Sequence, residues 1–174
     1  MLRGKTVTLR DARDADLSVL GGIRNDLELQ LALMSAPRPN TRARVKDWLR
    51  QRANDPQGAF FVVATSDGDE PIGFVQLVGI DLLNRHASLG ICLTPAHHGL
   101  GHATEALDLL EGYAADVFGL RKIVLHVLSG NARAIAFYER RDFRPVGTLM
   151  EHHYHQGRFH DVLIMEKRLD APPT

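Results

Sequence analysis

The stretch Leu93-Thr94-Pro95-Ala96-His97-His98-Gly99-Leu100-Gly101-His102-Ala103-Thr104-Glu105-Ala106 joins the end of an apolar run to the start of the clearest helix in the chain. Ala103, Ala106, Leu107, Leu110, Ala114, Val117 and Phe118 recur at helical spacing, while Thr104, Glu105, Asp108, Glu111 and Asp116 are expected to face away. Gly119 supplies a stop. A strand, a glycine-bearing loop and a helix thus follow one another. The first N–H groups of such a helix have no internal partners, and its dipole places about half a positive charge there. Phosphate can bind that terminus without Lys or Arg. Gly99 and Gly101 would let an anion approach the backbone closely, but glycines also serve tight turns, and spacing alone leaves both readings open.

Upstream of this loop, Ala59–Ala64, Pro71–Ile80 and Ala87–Leu93 read as three strands whose connections at Ser66–Asp69 and Leu83–Arg85 are too short for crossovers, so they are expected to be antiparallel. Before them come a strand at Val7–Arg10, a helical pattern from Leu17 weakened by Gly21 and Gly22, and a helix from Asn25 to Met34 with Leu27, Leu31 and Met34 on one side. Thr41 is a natural N-cap for a helix from Arg42 to Asn54, with Val45, Trp48 and Leu49 as its apolar stripe. Downstream, Lys122–Leu128 is a buried-strand run reached through a helix and therefore expected to be parallel to the strand before it. Asn131 opens a short helix, and strands at Val146–Tyr154 and Phe159–Arg168 flank a Gln156-Gly157 turn. The fold class expected is α+β, with a central mixed, mostly antiparallel sheet flanked by helices. Residues 1–170 form one domain in this reading, and Asp170 to Thr174 form a frayed tail.

The 174 residues balance 21 Lys and Arg against 21 Asp and Glu, which weighs against broad nucleic-acid binding. A length near the ~150 residues of an average domain, with 44% hydrophobic and 24% charged residues, describes an ordinary globular chain. The lone Cys92 cannot form an internal disulfide, which favours a reducing compartment. Met1–Lys5 leads into an alternating strand without an apolar signal core, and no apolar run approaches the ~20 residues of a membrane helix. A cytoplasmic protein is the expectation.

The segment His98-Gly99-Leu100-Gly101-His102-Ala103 resembles the acyl-CoA pyrophosphate loop of the GNAT N-acyltransferases, with His98 where Gln or Arg is usual. The segment from Asn131 through Phe137 and Tyr138 to Asp142-Phe143 resembles a second motif of that family, with Asp142 in place of the usual Gly. The resemblance spans roughly Gly73 to Leu169 and is greatest to the branch containing ribosomal-protein N-terminal, spermidine and amino-sugar-nucleotide acetyltransferases.

The resemblance implies acetyl-CoA as acyl donor and direct transfer to a primary amine. The pyrophosphate would lie on backbone N–H groups of His98, Gly99, Leu100, Gly101, His102, Ala103 and Thr104, and the pantetheine arm along Ile91, Cys92 and Leu93. That arrangement requires the strand ending at Leu93 to splay from the one ending at Leu128. A backbone N–H of the same segment would stabilise the oxyanion. Tyr138 would be the general acid for the departing thiolate, its phenol being protonated at neutral pH. Asn131 would contact the cofactor arm, although it is equally a helix N-cap. Residues 71–169 would then carry the cofactor-binding core and last hairpin, and residues 1–70 mainly the acceptor side. A homodimer is left open.

The general base is unassigned: Ser88 occupies a position where the family commonly has Glu, and His126 and a water chain remain alternatives. No metal is expected, because neither His97, His98 and His102 nor His152, His153, His155 and His160 match a zinc spacing. His98 and His102 could share a helix face, and the His152–His160 hairpin is expected to border the acceptor cleft. Arg38, Arg42, Arg44, Lys46, Arg50 and Arg52, against Asp47 alone, form either a solvated face or a surface for an anionic acceptor. Asp26, Glu28, Glu151 and Asp161 are the candidate partners for a polyamine. Three functions follow: small-amine N-acetyltransferase first, protein N-terminal acetyltransferase second, and a non-catalytic acyl-CoA-binding module third.

Overall fold

In the computed structural model, which describes residues 1–170, Val7–Arg10 forms strand β2 beside β1 (Leu2–Arg3), a two-residue strand too short to carry a periodic signal. The chain continues through α1 (Leu17–Asn25), α2 (Leu27–Ala32), α3 (Arg42–Ala53), β3 (Gly58–Thr65), β4 (Pro71–Asp81) and β5 (His86–Leu93). After the loop come α4 (His102–Phe118), β6 (Lys122–Leu128), α5 (Ala132–Glu139), β7 (Arg144–His155) and β8 (Arg158–Arg168). The strands form one sheet in the order β1-β2-β3-β4-β5-β6-β8-β7. Neighbours are antiparallel except β5 and β6, which are parallel, as the intervening helix requires. Positive φ at Gln156 and Gly157 makes the tight β7–β8 turn. Residues 171–174 of the expected tail lie outside the described residues, and Asp170 pairs with Arg168 at 2.9 Å.

Strand alternation sends successive side chains to opposite faces. On one face Phe61, Val63, Val75 and Leu77 meet Ala106, Leu107, Leu110 and Ala114 of α4. On the other, Val62, Phe74 and Cys92 pack under Leu17, Leu20 and Ile23 of α1 and Val45 of α3. Thr41 caps α3 by accepting from the Arg44 N–H at 3.3 Å, and Gly119 ends α4 at φ 61°.

Two helices differ from the periodic reading. Asp26 accepts from the Leu29 N–H at 3.0 Å, so the expected helix from Asn25 to Met34 begins afresh at Leu27 and ends at Ala32. Its buried residue is Gln30, held by a 2.9 Å bond to the Ile23 carbonyl, and Leu27 is exposed. On α4, Val117 is exposed, whereas Glu111 is buried and accepts from Lys167 Nζ at 2.7 Å. Glu105, on the same helix, holds the N-terminal segment. Its carboxylate accepts from the Lys5, Thr6 and Val7 amides and from the Thr6 hydroxyl, the Thr6 and Val7 amides at 2.8 and 3.0 Å. A Cβ on Gly4 would stand 2.6 Å from that carboxyl carbon, so the approach needs glycine. Helical spacing shows which residues share a stripe; it cannot show that another strand arrives to cover the polar one.

Burial acts to raise the Glu105 pKa, but these hydrogen bonds outweigh it and bring it down to about 2. Glu105→Gln should lower stability at neutral pH by about 1–2 kcal/mol in urea unfolding. Because the native pKa lies below the unfolded one, the carboxylate's contribution is complete above the unfolded value and is lost as pH falls toward about 2. The difference between wild type and E105Q should close over that acid window.

Candidate active site

Strands β5 and β6 pair only at His86–Lys122, Ala87–Ile123 and Ser88–Val124. Beyond that point β6 stays with β8 as far as Leu128–Val162, while β5 stays with β4 as far as Gly73–Leu93. The Thr94 N–H continues the latter ladder to the Ile72 carbonyl at 2.8 Å. A wedge opens between the two strands. Gly73 permits it, since a Cβ there would lie 2.1 Å from the Cys92 carbonyl oxygen and push β5 off β4. With Thr94 and Cys92 turned toward β4, ladder alternation turns the amides of Ile91 and Leu93 toward the wedge. The Leu93 carbonyl is bonded to His98 Nε2 at 2.9 Å. Cys92 instead presents its side chain to the α1–α3 face, where burial, with a smaller contribution from Asp26, raises the thiol to about 12 and keeps it neutral.

The wedge leads to the start of α4. Pro95–His97 makes one 3₁₀ turn, closed by the His98 N–H on the Pro95 carbonyl at 3.2 Å. That bond removes His98 from the expected set of free amides, and the extended backbone of His98 removes it from the helix face expected to be shared with His102. Gly99 and Gly101 have φ of 77° and 84°, left-handed values that favour glycine, with open space where a Cβ would stand. Gly101 is the N-cap, so His102, Ala103 and Thr104 are the first helical residues, while the Glu105 N–H already bonds the Gly101 carbonyl at 3.1 Å.

A cavity of about 1000 Å³ joins these groups. Its wall includes Ile91, Cys92, Leu93, His98, Gly99, Gly101, Ala103 and Thr104 from the loop side, and Asn131 and Tyr138 from α5; the exposed Leu100 side chain and that of His102 are not part of it. Asn131 caps α5 through Oδ1, accepting from the Ala134 N–H at 3.1 Å. Tyr138 packs edge-on to Phe137 and Phe143, and burial, with Cys92 adding to it, pushes its phenol up to about 12. It therefore remains protonated across the neutral range. His126 of β6 also lines the cavity, whereas Ser88 does not.

The α1–α3 side of the cavity holds groups the sequence did not single out. Arg24 lies over the Trp48 ring at 4.9 Å, its Nε buried without a hydrogen-bond partner. Burial, then Arg52 and Arg44, lower its pKa from the usual arginine value. Gln76 faces Gly90 across the β4–β5 ladder, and its Oε1 is likewise buried without a partner. Of the basic run from Arg38, only Arg52 reaches the cavity; Lys46 pairs with Asp14 at 3.1 Å and Arg50 with Asp47 at 3.3 Å. Among the acids, Glu28 lines it, Asp26 caps α2 and Asp161 holds the Glu151 amide at 2.7 Å. The His152–His160 hairpin, expected to border the cleft, contributes no lining residue; His153 and His160 pair across β7 and β8 instead. Among the described residues no group of three or more His, Cys, Asp or Glu is placed to hold a metal ion.

Residues 6–144 match the acetyltransferase (GNAT) domain family. The chain belongs to this family. It is 28% identical over 159 residues to the spermidine N(1)-acetyltransferase of Vibrio cholerae, covering 91% of each chain. It is 26% identical over 163 residues to YdaF of Bacillus subtilis, provisionally described as a ribosomal N-acetyltransferase, covering 91% of this chain and 87% of that one. The crystal structure of the Vibrio cholerae spermidine N-acetyltransferase with CoA and spermine superposes with a TM-score of 0.87 at 26% identity, covering 95% of this chain and 97% of the other. Within the GNAT fold this chain keeps the glycine-type backbone at Asp142, whose φ is 65°, a left-handed conformation that Asp tolerates better than most residues.

The sequence signal at Gly73 is its isolation within a strand, which marks a close backbone approach. Arg24 and Gln76 carried none. Gly73→Ala should destabilise the GNAT fold by about 1–3 kcal/mol in denaturant unfolding through the clash with β5. Gly112→Ala, at an open helical position, should instead stabilise it by up to about 1 kcal/mol.

Proposed function

We propose that the protein is an acetyl-CoA-dependent N-acetyltransferase that transfers the acetyl group directly to a primary amine of a small molecule. The observation that carries this reading is the wedge between β5 and β6, which runs from the free amides at the start of α4 to Tyr138 on the opposite wall. The pyrophosphate would take the N–H groups of Gly99, Leu100, Gly101, His102, Ala103 and Thr104. The pantetheine amides would pair with Ile91 and Leu93 as a half-strand, and the Asn131 side-chain NH₂, left over by the cap, would bond the same arm. Similarity to enzymes named as spermidine N-acetyltransferases supports a small-molecule amine as acceptor. A cytoplasmic setting suits the single buried thiol.

The amine nitrogen attacks the thioester carbonyl, and a backbone N–H from Ile91 or Leu93 receives the oxyanion. Collapse of the tetrahedral adduct breaks the C–S bond and releases a thiolate. The Tyr138 phenol, at about 12, is a weaker acid than an ordinary thiol near 8.5, so its first contribution is a hydrogen bond to the developing charge. The amine attacks in its neutral form, and the proton that its nitrogen sheds as the amide forms passes to the departing thiolate, directly or through His126, which faces the cavity.

Calorimetry should show acetyl-CoA binding to the wild-type protein, and a folded protein without such binding would contradict the assignment. Tyr138→Phe should reduce kcat about 100-fold with acetyl-CoA affinity nearly unchanged. Since the phenol keeps its proton to about pH 12, the wild-type rate should show no alkaline loss from Tyr138 between pH 7 and 10.

A further inference from the structure

The cavity that accommodates the transfer chemistry has an unbalanced wall. Arg24, Arg52, Arg133, Arg140 and Arg141 line it, with Glu28 as the one carboxylate among them. Arg141 is neutralised by Asp108 and Glu111. Arg24 is not: its Nη2 reaches only Asn40 Oδ1, at 3.4 Å, its Nε is buried and free, and it pairs with no carboxylate among the described residues. The guanidinium is held in place by its seat on Trp48, which in turn packs on Phe60 and Phe74 at 5.3 and 5.6 Å. Arg52 lines the same side of the cavity. A planar, oriented donor beside a second cation suits a carboxylate or phosphate.

One sheet step from Phe74 on the same face is Gln76, about 7 Å along β4. Its amide occupies the space left by Gly90, where a Cβ would stand 2.9 Å from Nε2. The buried Oε1 has no donor, and an unsatisfied buried acceptor is costly unless a ligand supplies one. Gly90 lies on β5 beside the open edge that begins after Ser88, so Gln76 is near that edge, and Arg24 lines the same cavity.

We propose that the acceptor is a small amine bearing an anionic group, a carboxylate or a phosphate: Arg24, with Arg52, binds the anion over Trp48, and Gln76 Oε1 accepts an N–H of the amine. The inference rests on the acetyl-transfer reading above and narrows its acceptor. A polyamine fits this wall poorly, because its second ammonium would meet Arg24 and Arg52 with only the exposed Glu28 to offset them.

The test is thiol release from acetyl-CoA with acceptors matched in all but the anion: methionine against methioninamide, glucosamine 6-phosphate against glucosamine, and spermidine. The acid-bearing member of at least one pair should have a kcat/KM at least tenfold above its neutral partner and above spermidine. The pair that shows this distinguishes carboxylate from phosphate. In Arg24→Gln that ratio should fall to about one with acetyl-CoA affinity retained, and Arg24→Lys should recover part of it. Preference for spermidine or for the neutral members overturns the anionic acceptor and leaves the acetyltransferase reading standing. A ratio that Arg24→Gln leaves unchanged removes Arg24 from the site and overturns the proposal. Acetyl-CoA binding without thiol release from any amine overturns both readings.

Discussion

Between Ser88 and Leu93 strand β5 leaves β6, and the opening onto which the candidate site's groups face depends on that departure. A strand normally keeps both edges paired inside a sheet, because an unmade backbone hydrogen bond is costly when buried. Here β5 keeps its β4 edge to the end, and Gly73 allows the last residues to lie closer to β4 than any side chain would permit. The other edge is left with the amides of Ile91 and Leu93 facing a cavity, available to a ligand that completes the sheet. The loop that follows continues the same device. Its glycines adopt left-handed backbone and leave the first amides of α4 free.

The two faces of the sheet divide the work. The α4 face supports the Gly99–Gly101 loop and the aromatic packing behind Tyr138, whereas the α1–α3 face supports Arg24, Trp48 and Gln76. Both meet at β5, whose alternate residues belong to opposite faces. The open β5 edge thereby lies between the Tyr138 phenol on one side and Arg24 and Gln76 on the other. Glu105 joins this arrangement to the start of the chain. By collecting the amides of Lys5, Thr6 and Val7 it fastens the start of the chain to the first turn of α4, next to the Gly99–Gly101 loop.

Much of this frame was legible in the residues. The three-strand meander, the helix after Gly101, the parallel return at Lys122–Leu128 and the capping roles of Thr41 and Asn131 all stand where local pattern placed them. Local pattern worked there because short connections, caps and periodicity act over a few residues. It failed where partners came from afar. Glu105 and Glu111 read as solvent-facing because the amides of Lys5 to Val7 and the Lys167 ammonium are distant in the chain. The basic run from Arg38 read as a possible acceptor surface, yet most of it meets solvent or nearby acids, and Arg24, isolated in sequence, reaches the cavity.

The sequence by itself determined the order of the elements from Val7 onward, apart from the break at Asp26, because caps, turns and apolar period act locally, and its two motifs carried the resemblance to the family. Only the tertiary structure decided which amides are free, which charges are unpaired and which faces share a cavity. Those properties depend on what a group is left without after folding, and a residue's missing partner cannot be read from its neighbours in the chain.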